Sequence, residues 1–206
     1  MAVGDSVQVN EGTGKRLATG ATYTENALTV RDEKFILGEP YLASYMIATS
    51  GISTATANDH LVQIMAGSAN KIRIRRIDAY LSAVATTATI MPMALFRLST
   101  AGTGGGVGSI VLMDPAEAAA TATVMTLPTA KGTEGSAPFG SRIYMMQTIA
   151  ASAPLASPLL VWDFDRPRFK PLIIAAGTAN GIAIKNQTAV AGAQLMFNIW
   201  FDEVPF

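Results

Sequence analysis

The stretch AQLMFNIWFDE near the C-terminus places Leu195, Phe197, Ile199 and Phe201 on alternate positions. Side chains alternate across a strand with period two, so this pattern buries one face of a β-strand and cannot line the single stripe of a helix. The same reading extends along much of the chain. YLASYMIAT, HLVQIMAG, KIRIRRIDAYL, TIMPMALFRLS, RIYMMQTI, PLLVWDFD, KPLIIAAG and GIAIKNQT are short apolar runs. The links between them are rich in Gly, Asn, Ser, Ala and Pro, as SGISTATAND, AGTANG and ASAPLASP illustrate. Short strands with such turns predict an all-β fold, a sandwich or jelly roll of about eight or nine strands. Pro92 places its run at a sheet edge or near a strand start, because proline has no N–H for a ladder.

One strand breaks its own alternation. Ile72 and Ile74 share one parity, while Ile77, Ala79 and Leu81 share the other. One extra residue in the strand restores a single buried face, so a β-bulge is predicted near Arg75–Arg76. A single helix is predicted, at DPAEAAATA, with Asp114 as N-cap and Pro115 at the first helical position. The loop TAGTGGGVGS is read as a mobile surface loop. Its Gly102–Gly108 core lacks the Lys-Ser/Thr of a phosphate-binding loop and sits in no G-x-G-x-x-G frame.

Residues 1 to 40 differ from the rest. They mix Gly, Thr and charges with scattered apolar positions and form no amphipathic face. Short extended pieces are predicted at Leu28–Val30 and Phe35–Leu37. The segment reads either as a frayed terminus or as an extended arm that orders on a partner. The predicted organisation is therefore an arm, 1–40, followed by a β-sandwich domain, 41–206. A chain of 206 residues supports one sizeable core.

Charge narrows the function. Fifteen basic and fifteen acidic residues cancel, and only 15% of residues are charged against about 25% in ordinary domains. A nucleic-acid partner usually demands a basic excess, because phosphate neutralisation dominates its affinity. No cysteine is present, which removes disulfides, thiolate metal sites and thiol catalysis. The N-terminus has no apolar core of signal-peptide length, and no run approaches a membrane span of roughly 18 residues. The expectation is a soluble protein made in the cytoplasm, with neither nucleic acid nor membrane as partner.

Four groups of residues are candidates for chemistry or contact. Lys71, Arg73 and Arg75 form a basic row opposite Ile72 and Ile74, with Arg76 beside it. Like charges in a row repel unless acids lie across from them. The row therefore reads as a solvated or salt-bridged face, then as an inter-subunit contact, ahead of a nucleic-acid patch. Trp200 has the opposite parity from Phe197 and Phe201. It either faces outward as an interface residue or lies on a strand buried on both faces. Arg73, Arg75, Arg76 and Trp200 are accordingly the candidate assembly contacts. Asp163 and Asp165 in WDFDRPRFKP present two carboxylates, too few for calcium, with salt bridges to Arg166, Arg168 or Lys170 expected instead. His60, the single histidine, is accompanied by no G-x-S-x-G elbow. No catalytic residue, cofactor or metal site is predicted.

The series TANDHLVQIMAGSANKIRIRRIDAYLSA, ALFRLSTAGTGGG, TLPTAKGTEGS and WDFDRPRFKPLIIAAGTANGIAIKNQTAVAGAQLMFNIWFDE resembles small virion structural proteins of tailed bacteriophages. The resemblance covers about residues 41 to 203. It implies a jelly-roll subunit located on the virion, a capsid decoration or cement protein. Its implied partners are the major capsid protein and copies of itself in a homo-oligomer. It supplies no catalytic residues and no cofactor. The alternative placement is a tail, neck or fibre module that binds a glycan or receptor. An enzyme built from carboxylates on separate strands is the remaining class.

Overall fold

The computed structural model describes residues 22–25, 28–31, 42–146, 160–165 and 171–205. The chain divides into two units, residues 1–41 and 42–206. In the first, β1 (Thr22–Glu25) and β2 (Leu28–Arg31) pair antiparallel. The extended piece predicted at Leu28–Val30 is thus a strand. That at Phe35–Leu37 lies outside the described residues, as does the rest of the arm.

The second unit is all-β. Its strands are β3 (Ala43–Ala48), β4 (Ile52–Ser53), β5 (His60–Met65), β6 (Asn70–Ala83), β7 (Thr89–Leu98), β8 (Gly106–Val107), β9 (Ile110–Leu112), β10 (Thr123–Thr126), β11 (Glu134–Met146), β12 (Leu160–Asp163), β13 (Leu172–Ile174), β14 (Gly181–Asn186) and β15 (Gln194–Pro205). Two antiparallel sheets share one core. One has the order β11-β7-β14-β5-β10-β8; the other has β12-β6-β15-β3-β9, with β13 also on β6 and β4 on β15. Among the described residues no helix is long and apolar enough to cross a membrane. Among the described strands of this unit no pair joins two strands consecutive in the chain, so each of these ladders closes a long loop first. Such non-local topologies fold slowly.

The alternation in β15 places Leu195, Phe197, Ile199 and Phe201 in the core, each at most 1% exposed. They meet Ile72, Ile74, Ile77 and Ala79 of β6 and, from the facing sheet, Ile64, Met91, Met93, Leu95, Ile182 and Ile184. Phe201 stacks on Tyr45 with ring centroids 5.2 Å apart. Each large side chain buried in this way contributes about 1.5–3 kcal/mol.

The predicted bulge is present where the parity switch requires it. Trp200 pairs with Arg76 and Phe201 with Ile74, leaving Arg75 without a register partner. The extra residue lets Ile72 and Ile74 share the core face with Ile77, Ala79 and Leu81. It also turns Arg73, Arg75 and Arg76 onto the outer face together. The other side of β6 divides at the same point, with β12 pairing Arg76–Ala79 and β13 pairing Ile72–Ile74. Phe164 N–H donates to the Arg75 carbonyl across the gap.

Two expectations are corrected. DPAEAAATA forms a turn, not a helix: Asp114 Oδ1 accepts the Ala116 N–H, and its carbonyl accepts Glu117 N–H. The helix does not propagate because tertiary partners take its backbone groups. Tyr45 Oη donates to the Ala118 carbonyl, while the Glu203 carboxylate accepts the N–H groups of Thr121 and Ala122. A single turn gains too little to compete with those bonds. The second concerns Gly102–Gly108, which lies at the surface as expected, with Val107 91% exposed, but is paired at several points. Gly106–Val107 is β8, Thr103 bridges Ala130, and Gly102 N–H donates to Gln63. A Cβ at Gly105 would lie 2.5 Å from the Thr126 carbonyl oxygen, and one at Gly108 would lie 2.4 Å from Val124 Cγ1. These glycines permit close backbone approach.

Candidate functional site

The outer face of the β12-β6-β15-β3-β9 sheet carries the predicted contacts. A register row crosses it through Asp163, Arg76, Trp200, Met46 and Val111, each opposite the next. Trp200 is outward-facing and partly exposed, as its parity requires, and the Arg76 guanidinium lies 5.9 Å from its ring centroid. At that distance the cation interacts with the ring quadrupole.

The acids expected across from the basic row lie within the same subunit. Asp202 of β15 is fully buried and faces Arg73 in register. Its Oδ2 accepts from Arg73 Nε and Nη2 at 2.9 and 2.6 Å and from Arg75 Nε at 2.7 Å. Its Oδ1 accepts from Ser44 Oγ at 2.7 Å. Arg75 also reaches Asp165 at 3.1 Å, and Arg76 reaches Asp78 at 2.7 Å. Asp78, buried on the outer parity two positions along, holds Arg76 more firmly protonated through its hydrogen bond and then its charge. Salt bridging is thus what the structure places on this strand, with Arg73 the most enclosed of the three arginines and Arg76 the most exposed.

Arg75, Arg76, Asp78, Asp163, Asp165 and Trp200 together line an open depression of about 640 Å³. Asp163 ends β12, and its Oδ1 accepts the Asp165 N–H, so the two carboxylates lie at one rim. The salt-bridge partners expected for them at Arg166, Arg168 and Lys170 lie outside the described residues. Among the described residues no cluster of three metal-ligating side chains occurs. Asp78 was not singled out from sequence as a site residue, yet its signal was available: Arg76 and Asp78 are two apart on one strand face.

His60 is buried in a separate network on the outer side of the other sheet. Its Nε2 is 2.7 Å from Glu134 Oε1, and its Nδ1 lies against the Gln63 amide nitrogen. Gln63 accepts the Gly102 N–H, and Lys185 Nζ is 2.9 Å from both Glu134 oxygens. Because the Gln63 amide donates to Nδ1, the imidazole is neutral with its proton on Nε2. Burial pushes the His60 pKa down, against the opposing effect of the hydrogen bond that Nε2–H donates to Glu134. Burial alone would raise the Glu134 carboxyl, but the Lys185 and His60 hydrogen bonds hold it below its usual range. Both ring nitrogens are engaged and the ring is wholly enclosed. Gln63, Glu134 and Lys185 are 3, 74 and 125 positions from His60, so only the first was within reach of local reading.

The edge strand β11 is the third feature. From Arg142 to Met146 it runs in regular register with β7, after two irregularities near Pro138 and Gly140. Among the described strands none pairs with its other side. Ile143 is 72% and Ile90 54% exposed, and they share the solvent face with Pro92. No protein-family model, curated protein or solved structure matches this chain.

Proposed function

We propose that this chain is a structural component of a bacteriophage virion, a jelly-roll decoration or cement subunit that binds the capsid shell. The observation that carries an assembly role is the outer edge of β11, regular from Arg142 to Met146 and unpaired among the described strands, beside exposed Ile90 and Ile143. An edge with free backbone groups and apolar side chains is a template for another chain. Low charge and abundant small residues favour the same role, since they reduce the desolvation cost of close packing between subunits. Arg76 and Trp200 on the opposite sheet offer a second contact surface to the major capsid protein or to another copy. In this reading the arm of residues 1–40 laces onto a neighbour. Many copies, each adding a small binding energy, stabilise the particle by linkage. The subunit performs no catalysis and carries no cofactor.

The test is to sediment intact particles and count copies of the chain by quantitative mass spectrometry. Hundreds of copies support a shell component. A few dozen or fewer assign it to tail, neck or fibre, and absence from particles overturns the virion reading. Ile143→Lys and deletion of residues 1–40 are each expected to weaken particle binding while leaving the sandwich folded. If both variants bind as the full chain does, the edge and the arm are not the contacts.

A further inference from the structure

The depression around Trp200 has a composition that selects its ligand. Its walls carry two guanidiniums, Arg75 and Arg76, and three carboxylates, Asp78, Asp163 and Asp165, beside a partly exposed indole. A polyanion would meet the carboxylates, and a polycation would meet the guanidiniums. An apolar ligand would strip water from all five charges at a large cost. A neutral polyhydroxylated ring matches the lining. Each hydroxyl donates to a carboxylate and accepts from a guanidinium N–H, while the C–H face of the ring covers the indole.

The lining is also pre-set. Arg75 is fixed at one end by buried Asp202 and at the other by Asp165, and Arg76 is fixed by Asp78. Side chains already held in place lose little rotamer freedom when a ligand arrives. The volume of about 640 Å³ lies within the roughly 300–1,000 Å³ of small-molecule sites. We propose that this depression is a carbohydrate-binding site for a neutral sugar, with Trp200 as the stacking platform and the Arg75–Asp165 and Arg76–Asp78 pairs as hydroxyl partners. The proposal gives the Arg76–Trp200 face to a sugar instead of to a second protein contact and leaves the β11 edge and the arm for the particle, so counting copies and titrating sugars on the free chain fail or succeed independently.

The two tryptophans make the test selective. Trp162 is 1% exposed and Trp200 partly exposed, so quenching of emission by iodide reports on Trp200. The full chain would be titrated with galactose, rhamnose, N-acetylglucosamine and their short oligomers, with heparin and spermine as charged probes. At least one neutral sugar is expected to give a saturable change in emission and protect against iodide. Asp165→Asn, at an exposed rim position that leaves the core untouched, is expected to weaken that binding about tenfold. Trp200→Ala is expected to abolish it in a saturation-transfer NMR readout that does not use tryptophan. Binding of heparin or spermine without any neutral sugar would overturn the proposal in favour of a charge-selective site; heparin is the stringent control because Arg166, Arg168 and Lys170 follow Asp165 in the sequence. No response to any probe would mean a salt-bridged surface and nothing more.

Discussion

Replacing Asp202 by Asn removes one charge from the outer sheet face and almost no volume. The carboxylate is fully buried and accepts three N–H bonds from Arg73 and Arg75 and one O–H bond from Ser44. A hydrogen bond to a charged group contributes about 1.5–3 kcal/mol and a neutral one about 0.5–1.5. Loss of charge assistance on three bonds therefore costs about 3 kcal/mol. Breaking a fully buried pair costs about 3–5 kcal/mol, but here the side chain of Arg75 is 35% exposed and that of Arg73 12%. Both regain some hydration, which brings the expected loss to about 2–3 kcal/mol. In a domain of this size each kcal/mol shifts Tm by about 2–4 °C, so a fall of roughly 5–10 °C is expected. Urea titration monitored by Trp162 emission measures the change directly, and an unaltered slope would certify that the native state is otherwise intact. Val107→Thr, at a side chain 91% exposed on β8, is the internal control and should change stability by less than about 0.5 kcal/mol. A loss below about 0.5 kcal/mol for Asp202→Asn, the range of ordinary surface changes, would refute the view that the charge-assisted bonds from Arg73 and Arg75 to Asp202 stabilise the fold.

Three further outcomes follow from the same geometry. His60 is held neutral by burial, with its folded pKa below the ordinary 6.5, so the unfolded chain takes up the proton first. Its stabilising effect should be complete above about pH 6.5 and decline as pH falls below that value, with Glu134, also depressed, adding a loss of the same sign below about pH 4.5. A urea midpoint that rises on acidification from neutrality would contradict this, and His60→Gln should flatten the upper part of the decline. Gly140 sits at φ +59°, and a Cβ there would come 3.2 Å from Leu95 Cδ1 and 3.3 Å from Trp162 Cδ1. Gly140→Ala should therefore cost at least about 1–2 kcal/mol from the left-handed backbone alone, a reading that equal or higher thermal stability would defeat. Glu203→Ala removes the acceptor for Thr121, Ala122 and Asn70. It should cost about 1–3 kcal/mol and open residues 114–122 to limited proteolysis; an unchanged cleavage pattern would mean that other contacts hold this segment.

Local pattern determined a large part of this fold. The period of Leu195, Phe197, Ile199 and Phe201 assigned a strand and its buried face, because side-chain direction in a strand depends only on position parity. The switch between Ile74 and Ile77 located the bulge for the same reason: both sets must reach one core, and only an inserted residue permits it. The outward placement of Trp200 and the arginine row came with that register. Parity says nothing about partners, however. Asp202 lies 129 residues from Arg73, and Glu134 lies 74 from His60, so those pairings exist only once the sheets have closed. The two- and three-residue strands β4, β8 and β9 were equally invisible, since so short a piece carries no period of its own, whereas β13 was legible as the apolar run KPLIIAAG. Tertiary structure also overrode local preference. Asp114-Pro115 offered a helix start, and Tyr45 and Glu203 took the backbone groups that the helix needed. Gly102–Gly108 offered flexibility, and β10 with Gln63 used its small size for packing. The sequence decided which side chains face inward; the closed sandwich decided what the polar ones meet, because hydrogen bonds and ion pairs depend on distances that no local period encodes.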